Sequence, residues 1–305
     1  MSVLVSAIIP TWNRAGFVAR AIQSALDQPV PSGEVEVIVV DDESTDNTPE
    51  VVRSFPTVRY IQQANRREGA ARNAGAAQAS GTYLAFLDSD DYWLPGKLAG
   101  DVARFEAADH PALVYSRAMN VDEADRHLGT RSLPTPQGDV FWPLAREAFM
   151  PMSTVAVRAE AFRSCAGFTE DRTLSGTADW ELWLRFAARW PIGFVDQTKT
   201  AIRVHTGSML GDASYMEPAM LAGVRYALAD PVVAQRARGR EAFVRACMYV
   251  TIALYAYRHR RRARSALWLA RAVASSPQQL ADPRFLGAFG RAVLGPNLIG
   301  ALRRT

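Results

Sequence analysis

Three carboxylates, Asp88, Asp90 and Asp91, crowd into four positions directly after an apolar run that ends in Phe86-Leu87. Held ionised together they repel. A hard divalent cation bound through oxygen removes that repulsion, Mg2+ or Mn2+ above all where substrate phosphates share it. Two carboxylates at i and i+2 in a tight turn can face one ion. An isolated Asp-x-Asp also fits a solvated acidic turn or a helix cap, so the neighbouring segments decide. A second acidic pair, Asp41-Asp42, follows Val35 to Val40, and Pro10-Thr11-Trp12-Asn13 closes the run from Val3.

The elements needed to bring these tips together are legible in the periodicity. Val3 to Ile9, Val35 to Val40, Val58 to Ile61 and Tyr83 to Leu87 read as strands. The first is almost continuously β-branched or apolar, the pattern of a strand covered on both faces of a parallel sheet. Val18, Ala21, Ile22, Ala25 and Leu26 recur at helical spacing, Thr48-Pro49-Glu50 reads as an N-cap opening a second helix, and Gly69 to Ala79 as a third. A βαβαβαβ order predicts a parallel α/β sheet whose ligands gather beyond the carboxyl ends of the strands. Both acidic clusters lie on that edge.

Further on, Pro95 opens a helix to about Ala108 and Ala112 to Tyr115 reads as a fifth strand. Ser153 to Val157, Ile192 to Val195 and Thr200 to Val204 read as short strands around a helix from Asp179 to Arg189. From about Glu217 the pattern is helical, with Ala246 to Ala274 as a candidate antiparallel pair.

Pro10-Thr11-Trp12-Asn13, the run from Val39 to Thr48, Gly69 to Gly75 with Ala71-Arg72-Asn73 at its centre, and Phe86 to Trp93 occur in this order. Together they resemble glycosyltransferase family 2 over most of residues 2 to about 210. The resemblance implies a GT-A fold: a mixed, mostly parallel α/β sheet flanked by helices, here with a C-terminal helical extension. It divides the chain into a glycosyltransferase domain at 1–215 and a helical region at 216–305. The domain's nucleotide-binding half is 1–116 and its acceptor-binding half 117–215. The activity implied is inverting transfer of a sugar from a nucleotide diphosphate sugar, UDP being the family expectation, to an acceptor hydroxyl on a glycan or lipid-linked saccharide.

Carried over by position, Asp42 accepts a hydrogen bond from the base N–H, with Pro10, Thr11 and Trp12 lining the nucleotide pocket. Arg72, Asp88 and Ser89 belong to the same nucleotide-binding set, with Ser89, Asp91 and Trp93 expected as walls around the donor. Asp90 and Asp88, joined by His205 from the Arg203-x-His205-x-x-Ser208 segment, are the expected ligands of Mn2+ or Mg2+. Arg72 also reads as a solvated helix-face arginine, and His205 as a surface residue. The acceptor hydroxyl must lose its proton as it attacks, which calls for a nearby carboxylate. Asp179, in Ala178-Asp179-Trp180, matches the family's base; it also reads as a helix N-cap, and the helix dipole there is expected to keep it ionised. The family usually has glycine where Glu43 stands, so the turn after Asp42 is expected to take a different path.

The chain has 305 residues and a formal net charge of +4, too small a surplus for a nucleic-acid binder without a local patch. Its two cysteines, Cys165 and Cys247, suggest neither a disulfide framework nor a metal site, and a cytoplasmic setting is expected. The basic run Arg258 to Arg264 lacks interleaved stacking aromatics, which disfavours RNA and leaves peripheral contact with an anionic membrane. The apolar run before it is too short to span a bilayer. Two other classes keep parts of the pattern: a catalytically inactive sugar-nucleotide binding module, and a nucleotidyltransferase. The second needs a Gly-rich triphosphate loop, and no such loop occurs.

Overall fold

The computed structural model describes residues 2–205 and 213–290. The amino-terminal half alternates as β1 (Val3–Thr11), α1 (Val18–Leu26), β2 (Glu34–Asp41), α2 (Thr48–Arg53), β3 (Arg59–Gln62), α3 (Arg67–Gln78) and β4 (Tyr83–Phe86). Then follow β5 (Tyr92–Trp93), α4 (Lys97–Phe105), β6 (Leu113–Val121), β7 (His127–Thr130), α5 (Phe141–Arg146), β8 (Val155–Arg158) and α6 (Ala159–Ser164). After α7 (Ala178–Arg189) and β9 (Ile192–Arg203) come α8 (Ala213–Ala229), α9 (Pro231–Ala237), α10 (Glu241–Arg258), α11 (Arg262–Ser275) and α12 (Pro283–Phe289).

Nine strands form one mixed sheet in the order β3-β2-β1-β4-β8-β6-β9-β5, with β7 paired to β6. The first four are mutually parallel. Beyond them β8 runs antiparallel to both β4 and β6, β9 parallel to β6, and β5 antiparallel to β9. Parallel pairing is thus unbroken through the amino-terminal half and recurs between β6 and β9.

Strand alternation explains how both faces are covered. Ile8, Ile38, Val40, Leu84 and Phe86 point to the face packed by Ala71 and Ala76 of α3. Ala7, Ile9, Val37, Val39 and Ala85 point to the other, against Val18, Ala21 and Ile22 of α1. On the α3 side, a Cβ added at Gly75 would stand 2.7 Å from Ile8 Cγ2, so only glycine lets the helix come this close. The same apolar cluster continues through Trp183 of α7 into Val244 and Ala253 of α10 and Trp268 of α11.

Several local expectations are corrected. Ile192 to Val195 and Thr200 to Val204 belong to one strand, β9, whose exposed middle at Asp196 and Gln197 coincides with register shifts against Ser116 to Ala118. The fifth strand runs to Val121, and β5 and β7 were not anticipated. Thr48 is not the cap: Asp46 accepts its N–H at 3.0 Å and its hydroxyl at 2.5 Å, so the Asp46 carboxylate holds the start of α2. The helix after Pro95 starts at Lys97, following Gly96 at φ +78.

Candidate active site

Three strand tips deliver the site. At the end of β2, Asp41 is buried and accepts the Ser44 N–H at 2.8 Å and the Tyr60 hydroxyl at 2.7 Å, closing the turn. Asp42 points the other way. Its carboxylate accepts Gln63 Nε2 at 2.8 Å and the backbone N–H groups of Arg66 and Arg67 at 2.9 and 2.7 Å, so it anchors the start of α3. Glu43 sits at φ +70. This is the left-handed conformation that glycine adopts most readily, and the glutamate side chain accepts the Asn65 N–H. On the neighbouring tip of β1, Thr11 Oγ1 is buried without a hydrogen-bond partner, and Trp12 stands half exposed.

The acidic turn after β4 is held by residues from far along the chain. Ser153 donates to Asp91 at 2.6 Å and accepts the Asp88 N–H at 3.1 Å. Arg203 at the end of β9 donates its N–H to Asp91 at 2.9 Å, and its guanidinium grips the Asp90 carbonyl and Asp125. Burial, with the Asp90 and Asp88 charges adding to it, pushes the Asp91 carboxyl well above the usual carboxylate range. Asp91 and Trp93, expected as donor walls, instead turn to Ser153, whose carbonyl accepts the Trp93 indole N–H at 2.8 Å. Ser89 is buried.

Asp90 and Asp88 face different partners. Asp90 Oδ2 lies 2.9 Å from His205 Nε2 and 3.4 Å from Arg14 Nε. Asp88 Oδ1 accepts Arg72 Nη2 at 2.6 Å. Burial raises the Asp88 carboxyl above its ordinary value, against the lowering influence of Arg72. Arg72 is itself buried, over the Phe168 ring, which excludes the solvated helix-face alternative.

Asp179 lies in the first turn of α7, where its Oδ1 accepts the Trp180 N–H at 2.7 Å. Burial outweighs the helix terminus and pushes its pKa up to about 6; Arg72 pulls it down, and Asp88 and Glu68 push it up. The charges that shape Asp179 thus come from α3 and from the acidic turn. The loop leading into α7 is clasped by Glu68, whose carboxylate accepts the Ser175 hydroxyl and the Gly176 N–H, both at 2.7 Å.

The donor set fits a divalent cation only in part. Among the described residues no group of three His, Cys, Asp or Glu side chains is arranged to hold a metal. One carboxylate oxygen of Asp90 beside one imidazole nitrogen of His205 suits a cation that takes its other ligands from water and a diphosphate, while Asp88 is engaged by Arg72. Thr206 to Ser208, including the last member of the histidine segment, lie outside the described residues.

Arg14, Glu68, Ser153 and Arg203 were not singled out from the sequence as site residues. Arg203 was quoted within its segment without a role, and Ser153 only as a strand start. Charge beside a motif was the one signal available for Arg14 and Glu68.

Residues 6–163, half of the chain, match the family model described as Glycosyl transferase family 2. An uncharacterised glycosyltransferase of Nostoc sp. is 36% identical over 138 residues, covering 44% of this chain and 42% of that protein. The succinoglycan biosynthesis protein ExoO of Rhizobium meliloti is 44% identical over 107 residues, 34% of this chain and 30% of that protein. The chain spans less than half the length of the curated relatives it matches. Among solved structures, S. aureus TarS 1-349 in complex with UDP-GlcNAc superposes with a TM-score of 0.64 at 19% identity, over 95% of this chain and 81% of that one. The mannosyltransferase PcManGT of Pyrobaculum calidifontis, in complex with GDP-Man and Mn2+, gives a TM-score of 0.54 at 18% identity, over 93% and 88%. These likenesses give the fold as that of GT-A glycosyltransferases. With more than half of its residues matched, the chain belongs to glycosyl transferase family 2.

Proposed function

We propose that this chain transfers a sugar, with inversion, from a nucleoside diphosphate sugar to an acceptor hydroxyl, with Asp179 as the general base. The observation that carries this reading is the charge cluster of Asp179, Arg72, Asp88 and Glu68, in which Asp179 has a pKa of about 6. A carboxylate with that value is ionised at neutral pH yet basic enough to take a proton as a bond forms.

In this reading Thr11 and Asp42 receive the nucleoside, the unpartnered Thr11 hydroxyl being free to bond the ligand and Asp42 keeping one lone pair beyond its three bonds. Arg72 holds fixed positive charge beside the departing diphosphate. Asp90 and His205 are the residues that would hold Mn2+ or Mg2+, whose bound cation stabilises charge on the leaving diphosphate. The acceptor oxygen attacks the anomeric carbon as the carbon–diphosphate bond breaks, and its proton passes to Asp179. No acid is needed for the leaving group, so a single carboxylate serves. UDP-GlcNAc bound by TarS and GDP-Man bound by PcManGT support a nucleoside diphosphate sugar as donor.

The same reading takes residues 1–215 as the transfer unit and 216–305 as a helical region bearing the basic run. Arg258, Arg260, Arg261 and Arg262 are exposed, while Arg264 pairs with Glu217. Exposed Leu267, Leu280, Leu286 and Phe289 lie in the same region. These features support peripheral contact with an anionic membrane, near a lipid-linked acceptor. No helix among the described residues is long and apolar enough to cross a membrane.

Titrating UDP-sugars and GDP-sugars into the protein with and without Mn2+ tests the donor class. Transfer by Asp179→Asn at the rate of the parent protein would refute the base, whereas nucleotide-sugar binding without any transfer by the parent protein would make an inactive binding module the better reading. Salt-insensitive or absent binding to phosphatidylglycerol vesicles would remove the membrane contact.

A further inference from the structure

The turn between β1 and α1 links the residues that follow Asp42 to the acidic turn. At the Asp42 end, the Ser44 hydroxyl accepts the Asn13 N–H at 2.9 Å and Asn13 Oδ1 accepts the Thr45 N–H at 2.8 Å. Thr48 Oγ1 accepts the Arg14 N–H at 2.8 Å, and Asp46 Oδ2 accepts the Ala15 N–H at 3.2 Å. The Arg14 carbonyl in turn accepts the N–H groups of Phe17 and Val18, both at 2.9 Å, and so opens α1. At the other end the Phe17 ring packs against the His205 ring, with centroids 5.5 Å apart.

From this anchored backbone the Arg14 side chain reaches Asp90. Its Nε stands 3.4 Å from Asp90 Oδ2, the same oxygen that lies 2.9 Å from His205 Nε2, and its Nη1 donates to the Asn13 carbonyl at 3.2 Å. A pair on open surface would do little; here the two side chains are only 24% and 22% exposed. Asp90 is also the carboxylate read above as holding a divalent cation. Two positive groups then compete for one carboxylate, and a cation that enters weakens the hold on Arg14. A diphosphate that arrives with the cation offers the guanidinium a new partner, since phosphate oxygens match its planar fork. The bonds at residues 13 to 15 fix the root of the side chain, so the exchange needs only a change of rotamer.

We propose that Arg14 is a charge-exchange residue: it neutralises Asp90 in the cation-free protein, and binds the diphosphate of the donor once a cation takes that carboxylate. The inference rests on the reading of the chain as a nucleotide-sugar transferase, and adds to it a donor-binding residue and a cause for cation and nucleotide to bind together. Mn2+ alone must turn the guanidinium off Asp90, and a diphosphate alone meets a guanidinium already engaged. Each ligand therefore favours the other, and by the same factor in both directions.

The test uses the full chain and two titrations. Mn2+ binding without nucleotide is followed by the electron paramagnetic resonance of free Mn2+, and UDP, GDP and uridine binding in the presence of Mn2+ by calorimetry. Arg14→Met is expected to tighten Mn2+ alone by about threefold, because a competing charge is gone. The same variant is expected to weaken the nucleoside diphosphate by about tenfold and to leave uridine unchanged. Opposite signs in the two titrations are what a merely structural role would not produce, since a damaged site loses both ligands together. Arg14→Lys, which keeps the charge without the fork, is expected to leave Mn2+ alone unchanged and to weaken the diphosphate by less than Arg14→Met; it carries the test, against the parent protein, if Arg14→Met does not fold. In Arg14→Met, Mn2+ affinity that stays level or falls, diphosphate affinity that stays at the parent value, or an equal loss for uridine would each overturn the proposal. Failure of both UDP and GDP to bind the parent protein would instead remove the donor reading, and this proposal with it.

Discussion

Arg72 donates from Nη2 to Asp88 at 2.6 Å, and the same buried guanidinium holds down the pKa of Asp179 through space. One cation therefore serves both the acidic turn and the residue read as the proton acceptor.

This gives opposite signs for two substitutions. Asp179 is functional as a base only when ionised, so kcat/KM should fall as pH drops through about 6. Removing the positive charge in Arg72→Met moves that acid limb to higher pH, whereas removing the negative charge in Glu68→Gln moves it lower. Asp179→Asn should lower kcat by about 10²- to 10⁴-fold with UDP affinity nearly unchanged. Identical acid limbs in the Arg72 and Glu68 variants would detach them from the base.

Cation binding is checked without any acceptor. In the presence of UDP, Mn2+ should raise Tm by mass action on the folded state, and EDTA should reverse the rise. Asp90→Asn and His205→Ala should each abolish most of that response. An undiminished Mn2+ shift in both variants would move the cation elsewhere.

A buried ion pair in α4 offers a test of stability. Lys97 and Asp101 of α4 are almost wholly enclosed and bonded to each other. Lys97→Met strands the carboxylate and should cost about 3–5 kcal/mol, while Lys97→Met with Asp101→Leu should recover most of it. Burial raises Asp101 from an ordinary value of 3.8 to about 6. Between those values the folded state binds the proton more tightly, so this group's contribution to stability declines as pH rises across that window and is level above it. Urea midpoints of the two variants at several pH values measure both effects.

The turn after Asp42 offers a backbone test. Glu43→Gly removes a side chain from φ +70 and should leave stability within about 1 kcal/mol, the relieved strain offsetting the lost Asn65 contact and the freer unfolded chain. Glu43→Val places a β-branched residue there and should cost at least about 1–2 kcal/mol. Guanidinium unfolding distinguishes them.

Much of the site was readable because each strand of the parallel half stops at its functional residue. Asp42 follows the apolar stretch of β2 and Asp88 follows β4, so hydrophobicity marks where the carboxylates emerge. Ser153 and Arg203 carry no such mark. They reach Asp91 across 62 and 112 residues through the pairing of β6, β8 and β9, and no local period encodes that register. The single strand β9 read as two because its exposed centre interrupts the apolar pattern. Asp179 was placed correctly on its helix, but the helix terminus suggested an ordinary acid; burial from distant segments decides its proton affinity.

The Glu68 clasp has a mechanical consequence. One turn of α3 carries, in order, the amides that grip Asp42 and the carboxylate that grips Ser175 and Gly176. On the proposed reading, the residue that meets the nucleobase and the segment that carries the base are tied to one short stretch of backbone, so a substitution that loosens the start of α3 is expected to disturb both ends of the donor at once.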